Sequence, residues 1–132
     1  MTDSVIDASA LIFALTTRSS AAADFARRLA DMHCQAPHLI DAECGSSLRK
    51  LARLGELTTG QAFSALVSAR SMIDIRHPHH DLSDMAWSLR DQLTFYDALY
   101  VALAAQLDVS LVTCDRRLAN AHSLPCRVEL VG

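Results

Sequence analysis

Ser4-Val5-Ile6-Asp7-Ala8-Ser9-Ala10-Leu11 decides the fold: a short buried strand runs straight into a carboxylate, and the residues after it can continue as a brief helix or turn. The phrase returns near the other end as Leu111-Val112-Thr113-Cys114-Asp115, ahead of Arg116-Arg117-Leu118. Between them the order strand, then helix, repeats. Helical spacing predicts helices over 19–32 (Phe25, Leu29 and Met32 on one side), 40–53 (Cys44, Leu48 and Leu51), 58–70 (presenting Phe63, Leu66 and Val67), 81–93, 96–107 and 116–121. Strands are expected over 34–39, 72–75, 110–113 and 127–131. These strands are too short and too continuously apolar for a sheet with one wet face. A parallel sheet covered by helices on both faces is the expectation, an α/β fold.

In such a sheet ligands collect beyond the carboxyl ends of the strands, where Asp7 and Asp115 fall. Two more acids stand in comparable settings: Asp97 within Phe95-Tyr96-Asp97-Ala98-Leu99, and Glu43 at the border of the apolar face of 40–53. Each alone has a structural explanation. Asp7 and Asp115 suit helix N-caps, Thr94-Phe95-Tyr96-Asp97 suits a capping box, and Glu43 suits a solvent-facing position near Ser47 and Lys50. As a set they are harder to dismiss. An unpaired buried carboxylate costs several kcal/mol, and no nearby Lys or Arg is spaced to neutralise all four, so a divalent cation is the economical partner.

Composition narrows the classes. With 132 residues, 51% of them hydrophobic, the chain suits one compact domain. No apolar run approaches the roughly 18 residues of a membrane span, and the N-terminus lacks a basic segment followed by an apolar one, so a cytoplasmic protein is expected. Cys34, Cys44, Cys114 and Cys126 are scattered, with no C-x-x-C pair, and read as buried thiols in a reducing compartment. The net charge of −3 excludes a uniformly basic nucleic-acid binder, although the basic residues are almost all Arg, with Lys50 the only lysine.

The same residues carry a resemblance. Val5-Ile6-Asp7-Ala8-Ser9-Ala10-Leu11, Pro37-His38-Leu39-Ile40-Asp41-Ala42-Glu43, Tyr96-Asp97-Ala98-Leu99-Tyr100-Val101-Ala102-Leu103-Ala104 and Leu111-Val112-Thr113-Cys114-Asp115-Arg116-Arg117-Leu118 resemble, in order and spacing, PIN-domain ribonucleases of the VapC toxin type. The resemblance covers almost the whole chain and implies one PIN domain over 1–132, a three-layer α/β/α unit with a central, mostly parallel sheet of about five strands. It further implies an Mg²⁺ or Mn²⁺ pocket of Asp7, Glu43, Asp97 and Asp115. From it follow hydrolysis of RNA phosphodiesters to 5′-phosphate and 3′-hydroxyl ends, a VapB-type antitoxin that covers the pocket, and a symmetric homodimer. Carboxylate oxygens are the hard ligands these ions prefer.

Asp7 and Asp97 are the expected direct ligands, with Asp115 and Glu43 holding metal-bound waters or a second ion. Ser9 and Thr113 are candidate supports for the carboxylates or a phosphate oxygen, and are as readily caps. Asn120 is a weaker candidate. Arg116 and Arg117 are the first candidates for gripping the substrate, with Arg49, Lys50 and Arg53 as a second patch; a solvated helix face is the plain alternative. His77-Pro78-His79-His80-Asp81 lacks helical ligand spacing and reads as an exposed turn, with Asp81 or Ser83 capping the next helix. Trp87, Phe63 and Phe25 read as core or dimer contacts rather than base-stacking platforms.

Four other readings compete. A receiver domain needs a Lys after its fifth strand, and Lys50 is misplaced; a haloacid-dehalogenase-type phosphatase needs an Asp where Ser9 stands. A metal-binding scaffold without catalysis, or an RNA-processing nuclease without an antitoxin, is separated from the toxin reading by turnover of RNA and by the partner.

Overall fold

The structure, a computed structural model, describes residues 2–132. Five strands, β1 (Thr2–Ile6), β2 (Met32–Pro37), β3 (Ile75–His77), β4 (Ser110–Thr113) and β5 (Val128–Leu130), form one sheet in the order β3-β2-β1-β4-β5. Every pairing is parallel. The sequence expectation of a mostly parallel sheet is thus met in full. Seven helices connect the strands: α1 (Ala8–Thr16), α2 (Ser20–Ala30), α3 (Leu39–Arg53), α4 (Thr59–Met72), α5 (Ser83–Ser88), α6 (Phe95–Leu107) and α7 (Arg116–Ala119). α1 packs with α2, α3 and α4, whereas α5 packs with α6, which lies along β1, β2 and β4.

The uninterrupted apolar strands are explained by this double cover. Val5, Ile6, Leu111 and Val112 are wholly buried because neither face of the central strands meets water. α6 is just as apolar on every side. Each residue from Ala98 to Ala104 is buried, as for a helix packed all round. Chain direction reverses outward from β1, with β2 on one flank and β4 on the other. That switch point opens a crevice at the carboxyl ends of β1 and β4, where open parallel sheets hold their ligands.

Several local expectations are corrected. The strand expected over 72–75 is displaced: Met72 closes α4, Ile73 is its extended C-cap, and β3 begins at Ile75 after the Asp74 N–H donates to the Cys34 carbonyl at 2.8 Å. Met32 belongs to β2 rather than to α2, the two being separated by Asp31 alone. The helix expected over 81–93 is only the six residues of α5, preceded by a 3₁₀ turn (His79–Asp81), because the Leu89 and Arg90 N–H groups bond back to Ala86 and Trp87 in tight turns. Neither Asp81 nor Ser83 caps it. Its cap position is Leu82, with no side-chain bond.

α4 is rotated from its expected phase. Its inner face is Ala62, Ala65 and Ala69, while Phe63 and Val67 are exposed. Trp87 is 62% exposed, which overturns the core reading for it; Phe25 is buried, tilted against Phe13 with ring centroids 6.3 Å apart. The histidine tract is also more structural than expected. His77 ends β3 with Nε2 2.8 Å from Gln35 Oε1, and His79 Nε2 accepts the Leu39 N–H at 2.9 Å at the start of α3; His80 and Asp81 are the exposed part.

Candidate active site

Asp7 follows the last residue of β1 and caps α1, its Oδ1 accepting the Ala10 N–H at 3.0 Å. The capping role is therefore real, and it accounts for only one bond. Ser9 Oγ donates to the same oxygen at 2.7 Å, and the wholly buried Thr113 Oγ1 donates to Oδ2 at 2.5 Å. Thr113 closes β4, which pairs with β1 in the register Ile6↔Val112, so the sheet itself brings donor and acceptor together. The Thr113 hydroxyl also accepts the Asp115 N–H at 3.0 Å, and Ser9 Oγ accepts the Cys114 N–H at 2.9 Å.

Asp115 caps α7 by accepting the Arg117 N–H at 2.9 Å, and the Arg117 guanidinium returns to its Oδ2 at 3.2 Å. Asp97 sits on the first turn of α6, where Thr94 Oγ1 accepts its N–H at 3.2 Å. Burial and Asp115 raise the Asp97 carboxyl, against the Thr94 hydroxyl and Arg117, which favour its charged form. Glu43, on the second turn of α3, accepts the Tyr100 hydroxyl at 2.7 Å. Tyr100 was missed by sequence reasoning. A tyrosine inside an otherwise alanine- and leucine-rich helix was the available signal, since a buried phenol seeks a polar partner.

Burial and repulsion from neighbouring acids act together on Asp7, Glu43 and Asp97. Burial is the main influence raising Asp7, Glu43 and Asp97 above the usual carboxylate range. Hydrogen bonds from Thr113, Ser9 and Ala10 oppose this at Asp7, as does Tyr100 at Glu43. Each then feels its neighbours: Asp97 raises Asp7 and Glu43, Asp7 raises Glu43, and Asp115 raises Asp97. Acids from four segments of the chain thus act on one another across one space.

Among the described residues, no three Asp, Glu, His or Cys side chains form a ready-made cation cage. The donor set nonetheless fits a hard divalent ion. Its oxygens are carboxylates, their charge is under-compensated, and an ion such as Mg²⁺ takes one or two carboxylates and fills its other positions with water and phosphate. Arg116 and Arg117 are exposed beside Asp115; Arg49, Lys50 and Arg53 line a separate groove with Ser46, Ser47 and Leu54 that none of the carboxylates borders. A cavity of about 690 Å³ between α1 and α4 also lies away from the acids, whereas a groove of about 350 Å³ contains Asp97 and Arg117.

A doubly covered parallel sheet with acids gathered over its switch point defines a class, and the sequence comparison agrees: the PIN domain profile matches residues 4–123, and the chain belongs to that family. It is 45% identical over 132 residues, 99% of each chain, to Ribonuclease VapC1 of Mycobacterium tuberculosis. Among solved structures, PAE2754 of Pyrobaculum aerophilum matches with a TM-score of 0.71 and 26% identity, covering 96% of this chain and 83% of that one. VapBC2 of Rickettsia felis, bound to a DNA fragment from its promoter, matches with a TM-score of 0.72 over 99% of this chain and 100% of that one; at 13% identity the likeness is one of fold.

Proposed function

We propose that this chain is a single PIN domain acting as an Mg²⁺- or Mn²⁺-dependent endoribonuclease, the toxin of a VapBC-type pair. The observation that carries the reading is the buried Asp7 carboxylate, fixed by Thr113 and Ser9 where β1 and β4 end, with Asp97 and Glu43 close enough to act on it and on each other. Asp7 and Asp97 are the direct ligands in this reading; Asp115 and Glu43 hold metal-bound waters or a second ion. Bound there, a divalent cation supplies a lowered pKa for water and neutralisation of charge on the leaving oxygen.

The chain's own residues do the remaining work. Ser9 and Ala10 occupy Oδ1 of Asp7 and Thr113 takes one lone pair of Oδ2, so the acceptor capacity left for a cation is on Oδ2. Tyr100 fixes Glu43 from below and keeps one oxygen committed. One of the four acids orients the attacking water. Arg116 and Arg117 grip phosphate, with Arg117 tethered through Asp115 to the edge of the site. In-line displacement leaves a 5′ phosphate on one product and a 3′ hydroxyl on the other.

A VapB-type antitoxin is the expected partner, its C-terminal segment covering the acids, and a homodimer the expected assembly. Among the described residues, no helix is long and apolar enough to cross a membrane, compatible with a cytoplasmic setting. The deciding experiment maps cellular RNA ends after brief expression of the native chain beside Asp97→Asn. New 5′-phosphate ends should appear with the native chain and vanish with the variant. Equal cleavage by a folded Asp97→Asn protein would overturn the mechanism.

A further inference from the structure

The groove containing Asp97 and Arg117 continues to Arg90, whose guanidinium lies over the Trp87 ring, 5.1 Å from its centroid. Arg90 is held there by two bonds to the Trp87 carbonyl, one from its own N–H at 3.1 Å and one from Nη1 at 3.1 Å. Trp87 is the chain's only tryptophan and is 62% exposed; Tyr96, next to Asp97, is 61% exposed. Among the described residues Arg90 makes no ion pair, so its charge is available.

We propose that the rim of this groove is a nucleobase subsite, in which Arg90 and the adjoining Trp87 ring stack a base of single-stranded RNA beside the phosphate to be cut. The proposal rests on the ribonuclease reading and extends it to how substrate is held. A capping arginine alone would explain the bonds to the Trp87 carbonyl, but not a large ring left open to water against the arginine that lines the same groove as Asp97 and Arg117. Unstacked bases are recognised on aromatic faces and guanidinium planes, and every base offers such a face. Arg90 and Arg117 supply positive charge along the groove, against Asp91 and Asp97 among neutral neighbours. That complementarity to a phosphate backbone favours RNA over a protein segment. The site therefore selects for single-stranded RNA in general, with preference among bases set by stacking strength.

The lone tryptophan makes the test direct. The full chain is held in chelator to stop turnover and titrated with a short single-stranded RNA, with binding followed by anisotropy of a labelled copy and the subsite by Trp87 emission. RNA should quench Trp87 in parallel with binding. An abasic ribose-phosphate strand of equal length should bind more weakly and leave the emission unmoved. Trp87→Ala should weaken RNA binding roughly tenfold, the range for loss of one aromatic stack, while Trp87→Phe should retain most of it and guards against a folding artefact.

Binding by anisotropy with unchanged emission and undiminished affinity in Trp87→Ala would overturn the subsite and leave the ribonuclease reading standing. No RNA binding at all, together with no cleavage on adding Mg²⁺, would overturn both. Emission that changes with protein concentration alone, coupled to a Trp87→Ala shift from dimer to monomer in sedimentation, would assign the ring to a second copy and also overturn the subsite.

Discussion

Thr113 concentrates a great deal on one oxygen: its hydroxyl donates to Asp7, accepts from the Asp115 backbone and lies 3.3 Å from Ser9 Oγ. Replacing it with valine keeps the shape and strands both a buried carboxylate oxygen and an N–H. Thr113→Val should lower stability by about 1–3 kcal/mol, the cost of leaving buried polar groups unpaired, measured by urea unfolding without metal. Thr113→Ser, which retains the oxygen, should recover the larger part. At this scale the sequence was informative about which residue types matter. The acids stood out because apolar neighbours made them anomalous, and Ser9 and Thr113 because a hydroxyl beside a strand end has a carboxylate in reach. Tyr100 did not stand out, since its partner Glu43 lies 57 positions away and only the approach of α3 to α6 joins them.

The elements show where periodicity succeeds and where it misleads. α6 is unmistakable because it is apolar throughout, and β1 and β4 because both faces are buried. α4 offered two apolar phases, one of alanines and one containing Phe63 and Val67, and size favoured the wrong one. Alanines let helices approach closely, so the close contact with α3 and α1 selected the small face. β3 was misplaced because Met72 and Ile73 are apolar in service of the end of α4. The helix caps behave more simply. Thr58 and Gln61 form a reciprocal box at 3.0 and 2.9 Å, so Thr58→Ala should cost about 1 kcal/mol. Asp108 ends α6 in the left-handed region at φ 54°, with an acid at the negative end of the dipole. Asp108→Gly should raise stability by about 0.5–1 kcal/mol, seen as a higher thermal midpoint; no gain would mean the local strain is already relieved.

Across the whole molecule, the raised acids link stability to pH and to metal. A carboxyl raised in the folded state binds its proton more tightly there than in the unfolded chain, so stability falls as pH rises from the ordinary carboxylate value through the raised one. Asp7, Glu43 and Asp97 all act in this direction. Glu129, lowered chiefly by its hydrogen bond with Arg28, acts oppositely, and its contribution is lost only as pH falls through its lowered value. In chelator, the thermal midpoint should therefore decline from mildly acidic to neutral pH. Mg²⁺ should restore it most at neutral pH, where the acids are ionised, and Asp7→Asn should blunt both effects. A midpoint indifferent to Mg²⁺ across that range would count against a cation-binding pocket.

Asp7 emerges early from the ribosome, but the hydroxyl that fastens it is synthesised 106 residues later, on the strand that pairs beside β1. Until then a nascent polypeptide holds Asp7 only through its near neighbours Ser9 and Ala10. The second anchor of Asp7 exists only once β4 has been made and has paired with β1. A chain cut short ahead of β4 would lack that anchor, along with the strand that carries it.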